Sequence, residues 1–355
     1  MYGRHIGVNG MIKAGIIGAT GYGGAELIRI LHMHPHMEVT SVYSSSQEGQ
    51  KITEHYPHLQ DIVTEPLETI VAGKVAEQTD LVFLAVPSGI STKLSPELIE
   101  AGCKVIDLSG DFRIKNLDLY RKWYKKEPAT QELVDQAIYS IPELHRENVK
   151  ETSFISNPGC YPTATLLGLA PLAKAGHIVD GSIIIDAKSG VSGAGQSASF
   201  ATIYNEVNES LKIYKVNQHQ HIPEIEQNLQ AWGLQEPVTF STHLTPMTRG
   251  IMSTIYLQLN EKFSEDELHS IYNEFYKNEP FVRVREKGNF PATKHVSGSN
   301  YCDIAITIDE RTNRVTIVSV IDNLMKGAAG QAVQNANILF GLEESTGLQF
   351  SPVYP

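Results

Sequence analysis

Between Ile12 and Met33 the chain passes from a short apolar segment through Gly18-Ala-Thr-Gly21-Tyr-Gly23-Gly24 into an amphipathic stretch. A strand that ends in spaced glycines and opens a helix can fold in few ways, because the chain must turn tightly with the helix N-terminus at the strand's carboxyl end. Free amides at such a helix start attract a pyrophosphate, which can approach closely only where no Cβ intervenes. The spacing is G-x-x-G-x-x-G, and the alternative reading is a turn that serves chain geometry alone. Further strand-like segments at Met37–Tyr43, Asp80–Pro87 and Lys104–Ser109 alternate with helical ones. That alternation predicts a parallel sheet with crossover helices and a ligand crevice at its carboxyl edge. The near-continuous apolar run Asp80-Leu-Val-Phe-Leu-Ala-Val-Pro87 suits a strand covered on both faces.

After about Asn157 the pattern changes. A helix near Pro162–Ala175 precedes longer alternating segments at Ile251–Leu259, Tyr301–Asp309 and Arg314–Val320, which predict a mixed, largely antiparallel sheet. Arg311-Thr-Asn-Arg314 reads as a hairpin turn, and Ser264-Glu-Asp-Glu267 as a capping box opening a helix to about Asn278. The expected organisation is an α/β chain of two units, residues 11–157 and 158–325. A final helix, about 326–342, packs back on the first unit, and residues 1–10 form an extension. The uncharged stretch Thr152–Ala173 is broken by Asn157, prolines and hydroxyl residues, so no membrane span is expected. The net charge of −11 disfavours nucleic acid and anionic membranes as partners. Three scattered cysteines, with no apolar core in the first ten residues, point to a reducing, cytoplasmic setting.

Ser156-Asn157-Pro-Gly-Cys160-Tyr-Pro-Thr163 places a cysteine just ahead of an apolar helix, whose positive end favours a thiolate able to attack acyl carbon. Cys103 and Cys302 read as buried packing residues. Asn217-Gln-His219-Gln-His221-Ile-Pro-Glu224 offers two imidazoles, either of which can serve as base, and an acid to orient one. No third ligand accompanies them, so no metal is expected, and His32, His34 and His36 read as a solvated turn. Arg113 and Arg249 stand at strand ends, where a guanidinium can hold an anion. Lys188-Ser189-Gly190-Val-Ser192-Gly193-Ala-Gly195 is a second glycine-rich segment. At the end of the second strand, Tyr43-Ser44-Ser45-Ser46 stands where an NAD site usually has a carboxylate, so NADP is favoured, with Lys51 the nearest cation.

Taken in order, the segment Gly18–Gly24, Asp107-Leu-Ser-Gly-Asp-Phe-Arg113, Ser156–Thr163, Lys188–Gly195, His219–Glu224, Pro246-Met-Thr-Arg-Gly250 and Asp322-Asn-Leu-Met-Lys-Gly-Ala-Ala-Gly330 resemble the N-acetyl-γ-glutamyl-phosphate reductases of arginine biosynthesis, relatives of aspartate-semialdehyde dehydrogenase. The resemblance implies a Rossmann-type domain, a second α/β domain, NADP as cofactor and a homodimer or homotetramer. It implies Cys160 as nucleophile, His219 as acid/base with Glu224 orienting it, and Arg113 as a phosphate contact. Asn157, Ser189, Gly190, His221 and Arg249 would face the substrate. Gly18, Thr20, Gly21, Tyr22, Gly23, Ser44, Ser46, Pro87, Ser88, Ser192, Gly193 and Asn323 would face the cofactor, Asn323 near the nicotinamide. Three departures concern cofactor contacts: Val86-Pro-Ser88 where many members have Pro-His-Gly, Gln196 for a common Arg, and a serine run without an adjoining Arg. The implied reaction is NADPH-dependent reduction of an acyl phosphate to a semialdehyde through a cysteine thioester. The alternatives are a reductase of aspartyl or N-acetyl-aminoadipyl phosphate and a non-enzymatic NADP-binding redox sensor.

Overall fold

The computed structural model describes residues 10–45 and 47–354, so nine of the ten residues of the expected extension, and Ser46, lie outside the described residues. Six parallel strands form the first sheet: β1 (Ile12–Ile17), β2 (Met37–Tyr43), β3 (Leu81–Leu84), β4 (Lys104–Asp107), β5 (Ile138–Tyr139) and β6 (Phe154–Ser156), in the order β2-β1-β3-β4-β6-β5. Between them run α1 (Tyr22–His32), α2 (Ala72–Gln78), α3 (Ser91–Glu100), α4 (Leu117–Tyr124), α5 (Gln131–Gln136) and α6 (Pro142–Val149). All four residues of β3 are buried, as its apolar run requires. Because β2 and β3 lie on opposite sides of β1, the strand order reverses at β1, and a crevice opens there at the carboxyl ends. Gly18 and the segment after β3 meet at that point. A Cβ on Gly18, whose φ is +89°, would collide with the Ala85 carbonyl oxygen.

The second sheet has seven strands in the order β11-β12-β13-β10-β7-β9-β8: β7 (Ile184–Ser189), β8 (Lys212–Tyr214), β9 (Thr239–Leu244), β10 (Ile251–Gln258), β11 (Val282–Val284), β12 (Cys302–Asp309) and β13 (Arg314–Ile321). Four of its pairings are antiparallel, whereas β7–β9 and β11–β12 are parallel. Asn313, in the left-handed region at φ 53°, turns the chain between β12 and β13. Helices α7 (Cys160–Lys174), α8 (Tyr204–Val207), α9 (Ile222–Ala231) and α10 (Glu265–Tyr276) complete this half. Ser264 and Glu267 cap α10 reciprocally, the Glu267 amide donating to Ser264 Oγ at 3.3 Å and the Ser264 amide to Glu267 Oε2 at 2.8 Å. Every residue of α7 from Tyr161 to Ala173 is buried, so this uncharged stretch is a core helix. It lies so close to the sheet that a Cβ on Gly168 would be 3.1 Å from Ile255 Cδ1. No helix among the described residues is long and apolar enough to cross a membrane.

The last helical segment differs from the expected uniform helix 326–342. Met325–Ala329 form a π-turn, and α11 (Gly330–Leu339) follows. Lys326 in this turn is fully buried and donates from Nζ to Glu143 Oε1 of α6 at 2.6 Å and to Gln334 Oε1 at 2.7 Å. The wider turn lets a long cationic side chain reach back to α6 while Ala332, Val333 and Ala336 pack into one core with Ile12, Ile16 and Leu27. Removing one partner of a buried ion pair strands the other charge, typically at about 3–5 kcal/mol, whereas removing both can be nearly neutral. Lys326→Met should therefore lower the urea unfolding free energy by about 3–5 kcal/mol. The double change with Glu143→Leu should recover most of the loss; equal loss in both would locate the cost in packing.

Candidate active site

Cys160 is the first residue of α7, and its N-cap, Gly159, supplies no side chain to the free amides there. A Cβ at Gly159 would collide with the His221 ring and lie 2.9 Å from Arg113 Nη1, so the glycine lets imidazole, guanidinium and thiol converge. Gly327 of the π-turn packs on Cys160, its missing Cβ position being 2.7 Å from Cys160 Cβ.

Glu224, in the first turn of α9, binds these groups together. It is fully buried; Oε1 accepts from the Gly159 amide at 2.8 Å and the Tyr139 hydroxyl at 3.0 Å, while Oε2 pairs with His221 Nδ1 at 2.8 Å and lies 3.7 Å from Arg113 Nη1. Burial acts to raise its pKa, but Arg113 and His221 outweigh it and hold the carboxyl below the usual range. Arg113 is itself fixed, donating from Nε to the Asn157 carbonyl and from Nη2 to the Leu108 carbonyl, both at 2.8 Å. Of the five guanidinium N–H groups these use two, and Nη1 lies at the Glu224 end.

The carboxylate expected to orient His219 thus pairs with His221 instead. The reason is local: His221 is the N-cap of α9 and Glu224 its third residue, and positions three apart at a helix start share a face. His219 lies outside that turn, where Nδ1 accepts the His221 amide at 3.2 Å and the ring packs edge-on to Tyr161, Tyr214 and Phe240. Burial and the neighbouring His221 push the His219 pKa down to about 2, so the ring is neutral with its hydrogen on Nε2. His221 is also shifted down by burial, against the pull of Glu224, and its bond to the carboxylate puts the hydrogen on Nδ1 and leaves Nε2 free to accept a proton. The thiol differs from the low-pKa cysteine expected at a helix start. Burial pushes Cys160 up to about 11, outweighing Arg113 and the backbone amides.

The crevice at β1 is the second half of the site. Gly21, the N-cap of α1, provides no side-chain cap. At Gly24 a Cβ would be 2.6 Å from Ala19 Cα, so the fold needs that glycine, but at Gly21 and Gly23 the nearest protein atoms would be 3.5 and 3.9 Å away. Packing within the chain does not require the bareness of those two positions, which is the arrangement a dinucleotide phosphate cradle uses. Ser44 is buried at the end of β2, Ser46 lies outside the described residues, and Pro87 and Ser88 follow β3 at the same edge. Facing Tyr22 across a cleft of about 410 Å³ are Ser192, Thr248, Arg249 and Leu324. Asn323 holds this wall, accepting the Gly250 amide at 2.7 Å and donating to Ser192 Oγ at 2.9 Å.

Three further residues expected on the substrate side are turned inward. Asn157 bonds Ala328 O and Asn335, Ser189 Oγ donates to Gly190 O, and a Cβ on Gly190 would be 2.7 Å from Thr248 O. Arg249 grips Glu26. Of the expected site residues, a larger hollow of about 940 Å³ beside α3 is lined by Ser88 alone. Among the described residues no group of three or more His, Cys, Asp and Glu could hold a metal. Tyr139, Gly327 and Glu26 escaped sequence reasoning, because only the tertiary fold brings them to the site.

Residues 13–152 match the family model described as semialdehyde dehydrogenase, NAD binding domain, and residues 160–323 the one described as semialdehyde dehydrogenase, dimerisation domain. An N-acetyl-gamma-glutamyl-phosphate reductase of Bacillus subtilis is 55% identical over 346 residues, 97% of this chain and 100% of the relative. Its namesake in Geobacillus kaustophilus is 56% identical over 345 residues, with the same coverage. The chain belongs to the N-acetyl-γ-glutamyl-phosphate reductase family. The fold extends beyond this reductase family. Aspartate semialdehyde dehydrogenase II of Vibrio cholerae superposes with a TM-score of 0.70 at 17% identity, covering 93% of this chain and 98% of the other. The Candida albicans aspartate semialdehyde dehydrogenase, solved with NADP, gives 0.69 at 17% identity, with equal coverage.

Two outcomes check this geometry. Gly21→Ala should weaken NADPH binding, followed by fluorescence, while leaving thermal stability nearly unchanged, whereas Gly24→Ala should lower stability first. Iodoacetamide labelling of Cys160 in the free protein should keep accelerating beyond about pH 9, as a thiol of raised pKa ionises; a plateau near neutrality would mean a preformed thiolate.

Proposed function

We propose that this chain reduces N-acetyl-glutamyl 5-phosphate to N-acetyl-glutamate 5-semialdehyde with NADPH, as a step of arginine biosynthesis in the cytoplasm. The observation that carries the reading is the buried Glu224 carboxylate gathering His221, Arg113 and the turn that bears Cys160. That set suits an acyl phosphate: a thiol to take the acyl group, a base to ionise it and a cation for the leaving phosphate.

His221 Nε2 takes the proton of the Cys160 thiol, which at a pKa of about 11 needs a base at neutral pH. The sulfur attacks the acyl carbon; the C–S bond forms, the bond to the phosphate oxygen breaks, and phosphate leaves beside Arg113 Nη1, taking up one proton from solvent to depart as hydrogen phosphate. The first amides of α7 and the His219 Nε2–H would donate to the carbonyl oxygen as it becomes an oxyanion. When bound, the dinucleotide supplies hydride to the thioester carbon. The oxyanion then collapses, the C–S bond breaks, and His221 returns its proton to the departing thiolate. The amides of Tyr22 and Gly23, with Thr20 and the bare Gly21 beside them, would hold the pyrophosphate; Ser44 and Ser46 would meet the 2′-phosphate; Pro87, Ser88, Ser192, Gly193 and Asn323 would border the nicotinamide side. NADP over NAD follows from Tyr43-Ser44-Ser45-Ser46, which lacks a carboxylate.

The chain also works as a homo-oligomer, a dimer or a tetramer. Its second half matches a dimerisation model, and Phe200, Tyr204, Leu211 and Ile213 stand exposed around edge strand β8.

The test is NADP⁺ reduction with N-acetyl-glutamate semialdehyde, with and without inorganic phosphate. Phosphate-dependent NADPH formation is expected. A stronger response to aspartate semialdehyde or N-acetyl-aminoadipate semialdehyde would reassign the acyl chain, and none with any aldehyde would favour a redox sensor. His221→Asn should lower kcat by about 10²–10⁴ and abolish the acid limb of its pH profile. His219→Asn should cost less; the reverse order would make His219 the base.

A further inference from the structure

Arg249 stood out in the sequence as an anion-binding arginine at a strand end, yet its charge is already satisfied within the protein. Nη1 and Nη2 donate to Glu26 Oε1 and Oε2 at 2.9 and 2.7 Å in a bidentate fork, and Nη1 lies 3.4 Å from Asp322 Oδ2. Glu26 is only 4% exposed and also accepts from Arg29 Nη2 at 2.8 Å. Burial acts against its charge, but the two guanidiniums hold its carboxyl below the usual range. The elements so joined are the two walls of the 410 Å³ cleft. Glu26 sits on α1 one turn beyond Tyr22, which lines one wall, while Arg249 and Leu324 line the other. Arg249 adjoins Gly250, whose amide bonds Asn323, and Asp322 adjoins Asn323, so the fork braces the wall that Asn323 and Ser192 form. A second tie crosses nearby, from Gln196 to the Tyr56 hydroxyl and on to the Thr20 carbonyl.

We propose that the Glu26–Arg249–Asp322 group is a latch that holds the dinucleotide helix α1 at fixed separation from the Ser192–Asn323 wall, and that Arg249 is therefore a positioning residue for the dinucleotide and not a reader of the acyl substrate. A dinucleotide spanning the cleft touches both walls, so its affinity and the hydride distance depend on their separation. Lysine cannot reproduce the fork, and glutamine at position 26 removes the charge while keeping the shape. Both substitutions are therefore mild tests.

This inference rests on the reductase reading for its kinetic arm but not for its binding arm. NADPH affinity, measured by fluorescence titration without substrate, should fall roughly tenfold in both Arg249→Lys and Glu26→Gln. The double variant should be no worse than either single one, since both break the same fork. With N-acetyl-glutamate semialdehyde and phosphate, kcat should fall while the KM for the aldehyde stays within about threefold of wild type. An aldehyde KM raised more than about tenfold in Arg249→Lys, with NADPH affinity intact and Glu26→Gln silent, would make Arg249 a substrate contact and overturn the latch. Losses that multiply in the double variant would overturn it as well. A wild-type protein that binds NADPH but reduces no aldehyde would sink the reductase reading and leave the binding test of the latch standing.

Discussion

One buried carboxylate organises the candidate site of this molecule. Ionised Glu224 sits where burial alone would neutralise it, and it stays charged because three hydrogen-bond donors and one cation from four parts of the chain converge on it: Tyr139 of β5, the Gly159 amide ahead of α7, His221 at the start of α9 and the Arg113 guanidinium beyond β4. Two of these come from the first sheet's half and two from the segments of the second. The site is therefore assembled only when both halves are folded against each other. The charge of Glu224 also fixes the tautomer of His221, so a single group holds the turn that bears Cys160, sets the polarity of the His221 ring and draws Arg113 toward it.

The glycines divide into two physical kinds. At Gly18, Gly24, Gly159 and Gly327 a side chain would strike the protein itself, so the absence of Cβ is a condition of close approach between elements. At Gly21 and Gly23 a Cβ would make only ordinary contact with the protein, so the packing of the fold does not demand their bareness. A spaced-glycine motif mixes both, which is why spacing alone is a weak signal and clearance a better one.

Features encoded within a few residues were legible beforehand. The apolar run of β3, the alternation of β10, the Ser264–Glu267 box and the turn at Asn313 all took the form their local chemistry dictates. The two-sheet architecture and the family followed from the order of the motifs. What could not be read depended on distance in sequence: Tyr139 on Glu224, Glu26 on Arg249, Gly327 behind Cys160. The assignment of Glu224 to His219 erred differently, since Pro223 at the second helical position marks a helix start that puts His221 three residues from Glu224. The thiol was judged from the helix end alone, and desolvation by the packed π-turn and neighbouring side chains outweighed it.

The return of the π-turn and α11 to the first sheet bears on the order in which a growing chain can become compact. The core around Ile12, Ile16 and Leu27 is closed by Ala332, Val333, Ala336 and Leu348, more than 300 positions later. During synthesis the amino-terminal sheet emerges early, yet part of its apolar surface stays bare until nearly the whole polypeptide has left the ribosome. The interval between the two events is set by translation speed. A cell making this protein must keep that surface from meeting other nascent chains for the time it takes to add the rest.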